Sequence, residues 1–323
     1  CGHLPGKQDY TPLSGGAFMN TENLKNVSAS VHQRLLNKAR KSSRPFNELL
    51  QHYAIERFLY RLSMSPYADQ FFLKGALMFS VWGGQWTRPT MDIDLLGKID
   101  NSLETIVAAV KGACEVEVEE DGMSFDQETV NAERIVEDAL YEGVRVRIQG
   151  FLGNARINIQ VDIGFGDEIV PEPYRILYPA LLDFPAPLLK GYTRESTIAE
   201  KFQAMAKLGV LNSRMKDFYD IWMLSRSFDF SGKILARAIF QTFSNRNTPI
   251  HAELAIFDPS FVQDKSKSQQ WQGFIRKAKL VNAPGAFEEV VEGVRGFLGP
   301  VTASLAREQP FRSIWYAPGP WRD

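Results

Sequence analysis

Cysteine, histidine and long apolar runs are all scarce in this 323-residue sequence. Its two cysteines, Cys1 and Cys114, argue against a disulfide framework and for a reducing compartment, so a cytoplasmic location is expected. The four histidines are scattered and form no zinc-binding pattern. No window reaches the roughly 20 apolar residues of a membrane span, and no apolar segment typical of a signal peptide is visible. We therefore expect no membrane partner.

Acidic and basic residues are nearly balanced, at 38 and 37, but they are unevenly distributed. Residues 67–189 contain 21 acidic and 9 basic side chains, whereas residues 19–66 and 190–323 are net basic. An acidic middle suits metal ions, and basic flanks suit a polyanion. Solvated surfaces would give the same pattern, and a pI near 6.5 is no general signature of nucleic-acid binding.

The stretch with the clearest chemistry is FFLKGALMFSVWGGQWTRPTMDIDLL, residues 71–96. It predicts a strand, a turn at Gly75, a helix over residues 76–82, and a second strand in which Asp92 and Asp94 alternate with apolar residues. Because a strand has a period of two, both carboxylates share one face, about 7 Å apart, and can converge on a hard cation such as Mg²⁺. An isolated Asp-x-Asp is more often solvated, so this interpretation depends on the glycine turn and on a third acid.

That third acid is Asp162. Residues 156–164 alternate between an apolar face and a polar face that carries Asn158, Gln160 and Asp162. Residues 141–149 form a similar run just before it, which predicts a hairpin. We expect Asp162 to meet the Asp-x-Asp pair, the alternative being a solvated strand acid. Asp167, in a glycine-rich turn beyond the strand, is expected to be a turn residue.

Two later helices carry further candidates. In IAEKFQAMAKL, Lys201 falls within the apolar stripe, so it must snorkel, pair with an acid or bind a phosphate. Glu200 is expected on the opposite, solvated side. In SRMKDFYDIWMLSR, Asp217 and Asp220 share a face. They could form surface salt bridges, or one of them could orient Lys201 or accept a proton, and the pattern leaves both options open.

We expect residues 1–18, which precede the first methionine, to be an upstream or added extension. Residues 19–178 are expected to hold two N-terminal helices and the catalytic core. Five prolines in residues 171–189 mark a linker or extended crossing segment, and residues 179–323 are expected to form a mainly helical C-terminal domain.

Three motifs, LKGALMFSVW…RPTMDIDLL, INIQVDIGFGD and IAEKFQAMAKLG…NSRMKDFYDIWML, closely resemble the AbiEii/AbiGii-type nucleotidyltransferases, the toxin halves of abortive-infection toxin–antitoxin pairs. The resemblance runs from about residue 19 to residue 301. It implies an α+β fold with a polymerase-β-like mixed sheet, packed helices and a C-terminal helical domain. It also implies an NTP substrate, a cognate antitoxin and, since mycobacterial relatives act on tRNA, transfer of NMP to an RNA 3′ end.

The resemblance also assigns site residues. It implies that Asp92, Asp94 and Asp162 are catalytic and hold two Mg²⁺ ions, about 3.5–4 Å apart in two-metal sites. Asp162 would be nearest the acceptor and could take its proton. The residues implied in nucleotide binding are Lys74, Gly75, Thr90 and Lys201, and either Asp217 or Asp220 matches a late catalytic aspartate.

Two other functions remain open at this point. The acceptor could be a hydroxyl of a protein or of a small molecule rather than RNA. The chain could instead be a non-catalytic nucleotide-binding module that acts through a partner, although the intact pair of Asp92 and Asp94 argues against this.

Overall fold

The computed structural model describes residues 21–83, 90–137, 141–280 and 282–323, so the expected extension at residues 1–18 lies outside the described residues. The helices in these ranges are α1 (Thr21–Ser42), α2 (Phe46–Met64), α3 (Leu77–Trp82), α4 (Leu103–Cys114), α5 (Arg194–Leu208), α6 (Met215–Ser227), α7 (Gly232–Asn245), α8 (Pro259–Val262), α9 (Lys265–Ala278) and α10 (Phe287–Ala306). The strands are β1 (Phe71–Lys74), β2 (Ile93–Gly97), β3 (Met123–Glu137), β4 (Tyr141–Leu152), β5 (Ala155–Phe165), β6 (Tyr174–Leu177), β7 (Leu188–Gly191), β8 (Phe230–Ser231), β9 (Ile314–Trp315) and β10 (Trp321–Arg322). None of the described helices is long and apolar enough to cross a lipid bilayer.

A seven-stranded mixed sheet, in the order β3-β4-β5-β2-β1-β7-β6, forms the centre of the N-terminal half. β2 is parallel to β5 and β1 is parallel to β7, whereas the other neighbours are antiparallel. β8, β9 and β10 form a small second sheet. The predicted α+β class, with a mixed sheet, packed helices and a helical C-terminal part, is confirmed.

The alternation of β5 places its apolar side chains in the first of two hydrophobic cores. Ile157, Ile159, Val161 and Ile163 are buried there with residues of α1, α2 and α4. The opposite side chains of the same strand, including that of Asp162, therefore point to the other face of the sheet. This is the division between core and site that the sequence predicts.

Strand β3 was not anticipated, because its 15 residues show no clear alternation of apolar and polar side chains. It is an edge strand of the sheet, and its register with β4 shifts between Asp126 and Asn131. Charged side chains and a bulge are common on such edges, because they discourage pairing with other chains. Val116, Val118 and the acidic run after them suggest a strand and a turn, but that segment is a loop whose Asp121 is buried against Arg61.

The proline-rich segment contributes two short strands rather than a linker alone. β7 pairs with β1, so the sheet continues beyond the boundary expected between residues 178 and 179. Tyr192 is the last residue of the chain assigned to the first core. The second core consists mainly of residues from Ile198 onwards, and it also includes Ala76 just before α3 and Phe79 within α3. The division into two domains stays a prediction.

The second core consists of helices α5 to α10 around buried aromatic side chains such as Phe202, Phe218 and Trp271. Helix α5 begins at the junction of the two cores, where the Thr193 hydroxyl accepts a hydrogen bond from the Ser196 backbone N–H at 3.2 Å. Thr193 is therefore the N-cap of α5. The same hydroxyl donates to the Val170 carbonyl at 2.7 Å, which fixes α5 to the segment after β5.

Candidate active site

A row of four charged residues crosses the centre of the sheet. Lys74 of β1 is the register partner of Asp94 of β2, Asp94 is that of Asp162 of β5, and Asp162 is that of Arg145 of β4. Residues that oppose each other on neighbouring strands have side chains on the same face, about 5 Å apart. The backbone thus imposes an order in which two carboxylates lie between two cations.

Gly75 allows the turn after β1 to approach Asp94. Its φ is +70°, in the left-handed region that favours glycine. A Cβ at this position would lie 2.7 Å from Cγ of Asp94 and would displace the carboxylate. Thr90 and Asp92 lie just before β2, and both line the same cleft as Asp94. The Lys-Gly turn and the Asp-x-Asp pair are therefore brought together, as the sequence predicts.

Asp162 is bound on both of its carboxylate oxygens. Arg145 Nε lies 2.8 Å from Oδ1, and Arg145 Nη2 lies 2.7 Å from Oδ2. Gln160 Nε2 donates a third hydrogen bond to Oδ2 at 3.2 Å. Two parallel N–H···O bonds are the strongest geometry for an arginine–carboxylate pair. The side chain of Arg145 is 31% exposed and reaches the cleft.

Lys201 reaches the cleft from the helical core and is held by two buried carboxylates. Its Nζ lies 2.8 Å from Asp217 Oδ1 and 2.9 Å from Asp220 Oδ2. Arg214 Nε approaches the other oxygen of Asp217 at 2.5 Å. Asp217 and Asp220 are fully buried, so of the two alternatives left open, surface salt bridges are excluded. Both aspartates orient Lys201, which was one of the interpretations left open.

Glu200 is not on the solvated side of α5, contrary to the sequence-based expectation. Its carboxylate lies 3.8 Å from Lys74 Nζ and 3.5 Å from Arg246 Nη2. Arg246 also binds Asp167 at 2.8 Å, so Asp167 connects the end of β5 to the end of α7 rather than serving only as a turn residue. The helical periodicity of α5 predicts a solvated Glu200, because the sequence of the helix does not show that the sheet covers this side of it.

These residues surround a cleft of about 410 Å³ between the sheet and the helical core. Its lining residues are Lys74, Gly75, Ala76, Thr90, Asp92, Asp94, Arg145, Gln160, Asp162, Tyr192, Thr197, Glu200, Lys201, Ala204, Arg214, Lys216 and Arg246. Every predicted site residue except Asp217 and Asp220 lines it, and those two lie directly behind Lys201. The buried hydroxyl of Thr197 has no hydrogen-bond partner among the described residues, so it can bind a ligand.

The acids in the cleft and those directly behind it have pKa values that are shifted in opposite directions. Partial burial, followed by the negative charge of Asp162, raises the pKa of Asp92. Burial also raises the pKa of Glu200 despite its neighbouring cations. Burial alone would raise the pKa of Asp217, but Lys201, Arg214 and Lys216 outweigh it and hold that pKa well below its usual range. Asp217 therefore stays ionised, and its negative charge stabilises the cations around it.

The donor chemistry fits a divalent metal at Asp92 and Asp94, since carboxylate oxygens are the ligands that hard cations prefer. The oxygens of Asp162, the third predicted ligand, are turned to Arg145 and Gln160 in this structure. Within the described ranges, no group of three or more acidic, histidine or cysteine side chains is placed to hold a metal ion. Metal binding by all three aspartates stays a prediction.

Sequence reasoning missed the cations that complete the site. Arg145 stands on the polar face of β4, but alternation alone could not show that its register partner is Asp162. Arg246 lies 79 residues from its partner Asp167, with no local pattern to connect them.

A second depression adjoins the cleft at the beginning of α6. It has a volume of about 660 Å³ and is lined by Ser213, Arg214, Met215, Lys216, Gln270, Gly273, Phe274, Lys277 and Ala278. Arg214 and Lys216 line both this depression and the cleft, so the two adjoin each other. The side chains that line it include three cations and one aromatic ring, and no acid among the described residues. We call it the basic groove.

Comparison with known proteins places this site in context. A family model described as "Nucleotidyl transferase AbiEii toxin, Type IV TA system" matches residues 57–293, which include all the predicted site residues. A search of curated proteins found no match. The chain is 13% identical to MenT4, a nucleotidyltransferase toxin of Mycobacterium tuberculosis H37Rv, with a TM-score of 0.48 over 86% of this chain and 98% of that one. It is also 13% identical to JHP933 of Helicobacter pylori, with a TM-score of 0.42 over 81% and 94% of the two chains.

Proposed function

The chain belongs to the AbiEii family of nucleotidyltransferase toxins of type IV toxin–antitoxin systems, and on this basis we propose that it transfers NMP from an NTP to the 3′ end of an RNA, with tRNA as the preferred acceptor. The resemblance carried by the three motifs is thereby confirmed, and the chain is a nucleotidyltransferase. A cognate antitoxin is the partner that such a family implies. One observation carries the proposal: Asp92 and Asp94 line one cleft together with Lys201.

In the proposed reaction, the 3′-hydroxyl oxygen of the acceptor forms a bond to the α-phosphorus of the NTP. The bond from that phosphorus to the oxygen bridging the α- and β-phosphates breaks, and pyrophosphate leaves with the electron pair. The hydroxyl proton passes to water in the open cleft. A divalent metal, Mg²⁺ in our proposal, supplies charge neutralisation and lowers the pKa of the hydroxyl when bound. Asp92 and Asp94 would hold it.

The cations of the cleft are suited to a triphosphate. Lys201 would donate to phosphate oxygens, and its two carboxylate partners fix the direction of its ammonium group. A donor fixed in advance stabilises developing charge without reorganisation, and the loss of one such donor typically costs about 2.7–4 kcal/mol of transition-state stabilisation. Lys74 lies at the Gly75 turn, where it would contact the same triphosphate. The orphaned hydroxyl of Thr197 adds a neutral donor on the same wall.

The basic groove favours a polyanionic acceptor over a small molecule. It continues from the cleft along α6 and α9, and it presents Arg214, Lys216 and Lys277 beside the ring of Phe274. Cations that follow a phosphate backbone next to an aromatic ring on which a base can stack are typical of single-stranded nucleic-acid binding. We propose that the acceptor strand enters through this groove with its terminal hydroxyl towards Asp92 and Asp94.

Incubation of the chain with total tRNA, Mg²⁺ and each α-labelled NTP in turn tests this proposal. The expected result is labelled tRNA with the wild-type chain and none with the Asp92→Ala/Asp94→Ala variant. If the label appears instead on a protein or a small molecule, that molecule and not RNA is the acceptor. Nucleotide binding without transfer to any acceptor would overturn the reaction and favour a binding module.

A further inference from the structure

We infer that Arg145 takes the place of a second metal ion in the cleft, so that the site holds one divalent cation. This inference rests on the proposed function and concerns the same site. A two-metal site at this position would draw on the oxygens of Asp162 as well as those of Asp92 and Asp94. The geometry of Asp162 opposes that arrangement.

The contact between Arg145 and Asp162 follows from the backbone. The two residues are direct register partners on the antiparallel strands β4 and β5, in the second of the nine pairs of the ladder between them. Side chains at such positions are neighbours whatever binds in the cleft. Separating them would require a rotamer change that breaks two charge-assisted hydrogen bonds, of 2.8 and 2.7 Å.

The lone pairs of Asp162 are largely used. A carboxylate offers about four acceptor positions. Arg145 takes one on each oxygen, and Gln160 takes a second one on Oδ2 at 3.2 Å. One position on Oδ1 remains, so Asp162 cannot bridge two ions while Arg145 and Gln160 stay bound to it. Asp162 is also largely buried, so an ion that took both of its oxygens would have to displace Arg145.

The charges lead to the same conclusion. The negative charges of Asp92, Asp94 and Asp162 face the positive charges of two fixed cations. These are Lys74 and Arg145, at the two ends of the row. Three negative and two positive charges leave one negative charge, which a single divalent ion is enough to neutralise. A guanidinium has five N–H donors, of which Asp162 takes two. The others are available to a phosphate in the cleft that Arg145 lines.

The number of bound ions tests the inference without measuring activity. We would titrate the protein with Mn²⁺ in the presence of a saturating, non-hydrolysable α,β-methylene NTP analogue and count bound ions by electron paramagnetic resonance. The wild-type chain is expected to bind one Mn²⁺ with no spin coupling between ions. Arg145→Gln frees Asp162 and is expected to bind two coupled ions. Arg147→Gln, on the same strand but paired with Glu133 at the surface, is the matched control and should bind one.

Asp162→Asn provides a second readout if Arg145→Gln fails to fold. With one ion held by Asp92 and Asp94, this variant should still bind one Mn²⁺, with an affinity within about threefold of the wild type. Two coupled ions in the wild-type chain would overturn the inference and leave the proposed reaction standing, as would loss of an ion in Asp162→Asn. No bound Mn²⁺ even with the analogue would overturn the proposed reaction as well.

Discussion

The ammonium of Lys201 is held by the fully buried carboxylate of Asp217, with 2.8 Å between Nζ and Oδ1. Asp217 also binds Arg214, and Asp220 adds a second carboxylate to Lys201 at 2.9 Å. Two helices that are separate in sequence thus deliver one oriented cation to a cleft whose other wall carries Asp92 and Asp94. Because both aspartates contact the lysine, both are expected to support activity, and they would differ only in the size of their effect.

We expect Lys201→Ala to lower kcat by about 10²–10³-fold, because a fixed donor to the triphosphate is lost. Asp217→Asn should lower kcat by about 100-fold and Asp220→Asn by less, since Asp217 positions Arg214 as well as Lys201. Steady-state tRNA labelling measures kcat, and thermal unfolding shows whether each variant is folded. Wild-type kcat in both folded asparagine variants would refute a positioning role.

Gly75→Ala is expected to impair transfer more than it impairs folding. The left-handed φ should cost about 1–2 kcal/mol, and the added Cβ should displace the Asp94 carboxylate and reduce activity about tenfold or more. Gly153→Ala is the matched control, because Gly153 also has a positive φ, of +57°, but lies in the turn between β4 and β5. Equal activity per folded molecule in the two variants would show that the approach of Gly75 to Asp94 is unimportant.

Metal affinity should depend on pH through Asp92. Its pKa is raised, so its protonated form persists to higher pH than for an ordinary aspartate of pKa 3.8, and metal affinity should fall on acidification before that value is reached. Mn²⁺ binding measured across the acid range checks this. Asp162→Asn removes a neighbouring negative charge, so it should move the loss of affinity to lower pH; a shift to higher pH would contradict the assignment.

Asp121→Ala should destabilise the fold by about 3–5 kcal/mol, because it leaves Arg61 charged and buried without its partner. The pair is bidentate, at 2.7 and 3.1 Å, and its side chains are 7% and 1% exposed. Urea unfolding gives the free energy, with Glu292→Ala in the exposed pair with Arg295 as control, expected within about 1 kcal/mol. A loss below about 1 kcal/mol for Asp121→Ala would mean that the loop relaxes around Arg61.

Lys277→Ala should weaken tRNA binding and reduce the salt dependence of that binding by about one unit of slope, since one phosphate contact is lost. Its affinity for NTP should not change, because Lys277 lines the basic groove and not the cleft. Filter binding over a series of salt concentrations measures the slope. Lys233→Ala, at an exposed position that lines neither surface, is the control. Identical slopes for the two variants would place the acceptor strand elsewhere.

The sequence predicted those parts of the site that depend on local periodicity. Alternation put Asp94 on one face of a strand and Asp162 on the polar face of another, and the register confirms that the two are neighbours. Asp92, expected on the same strand as Asp94, lies just before that strand but lines the same cleft. The turn at Gly75 could be predicted equally well, because few residues other than glycine allow that conformation. A lysine within an apolar helical stripe correctly marked Lys201 as a residue in need of a partner.

The parts that failed depend on contacts between distant segments. No local pattern shows that Arg145 opposes Asp162, because strand register is a property of the assembled sheet. Glu200 seemed solvated on its helix, but the sheet and Arg246 cover that side. Asp121 belongs to an acidic run that suggests a solvated turn, and only the position of Arg61 on α2 shows why it is buried.

Transfer to the 3′-hydroxyl of tRNA can be tested with intact tRNA and with tRNA whose 3′-terminal diol has been oxidised by periodate. Each is incubated with the wild-type chain, Mg²⁺ and the preferred NTP, labelled on the α-phosphate or, in parallel, on the γ-phosphate. Transfer of NMP to a 3′-hydroxyl predicts that only intact tRNA with the α-labelled NTP becomes labelled. Equal labelling of oxidised tRNA, or incorporation of the γ-label, would contradict it.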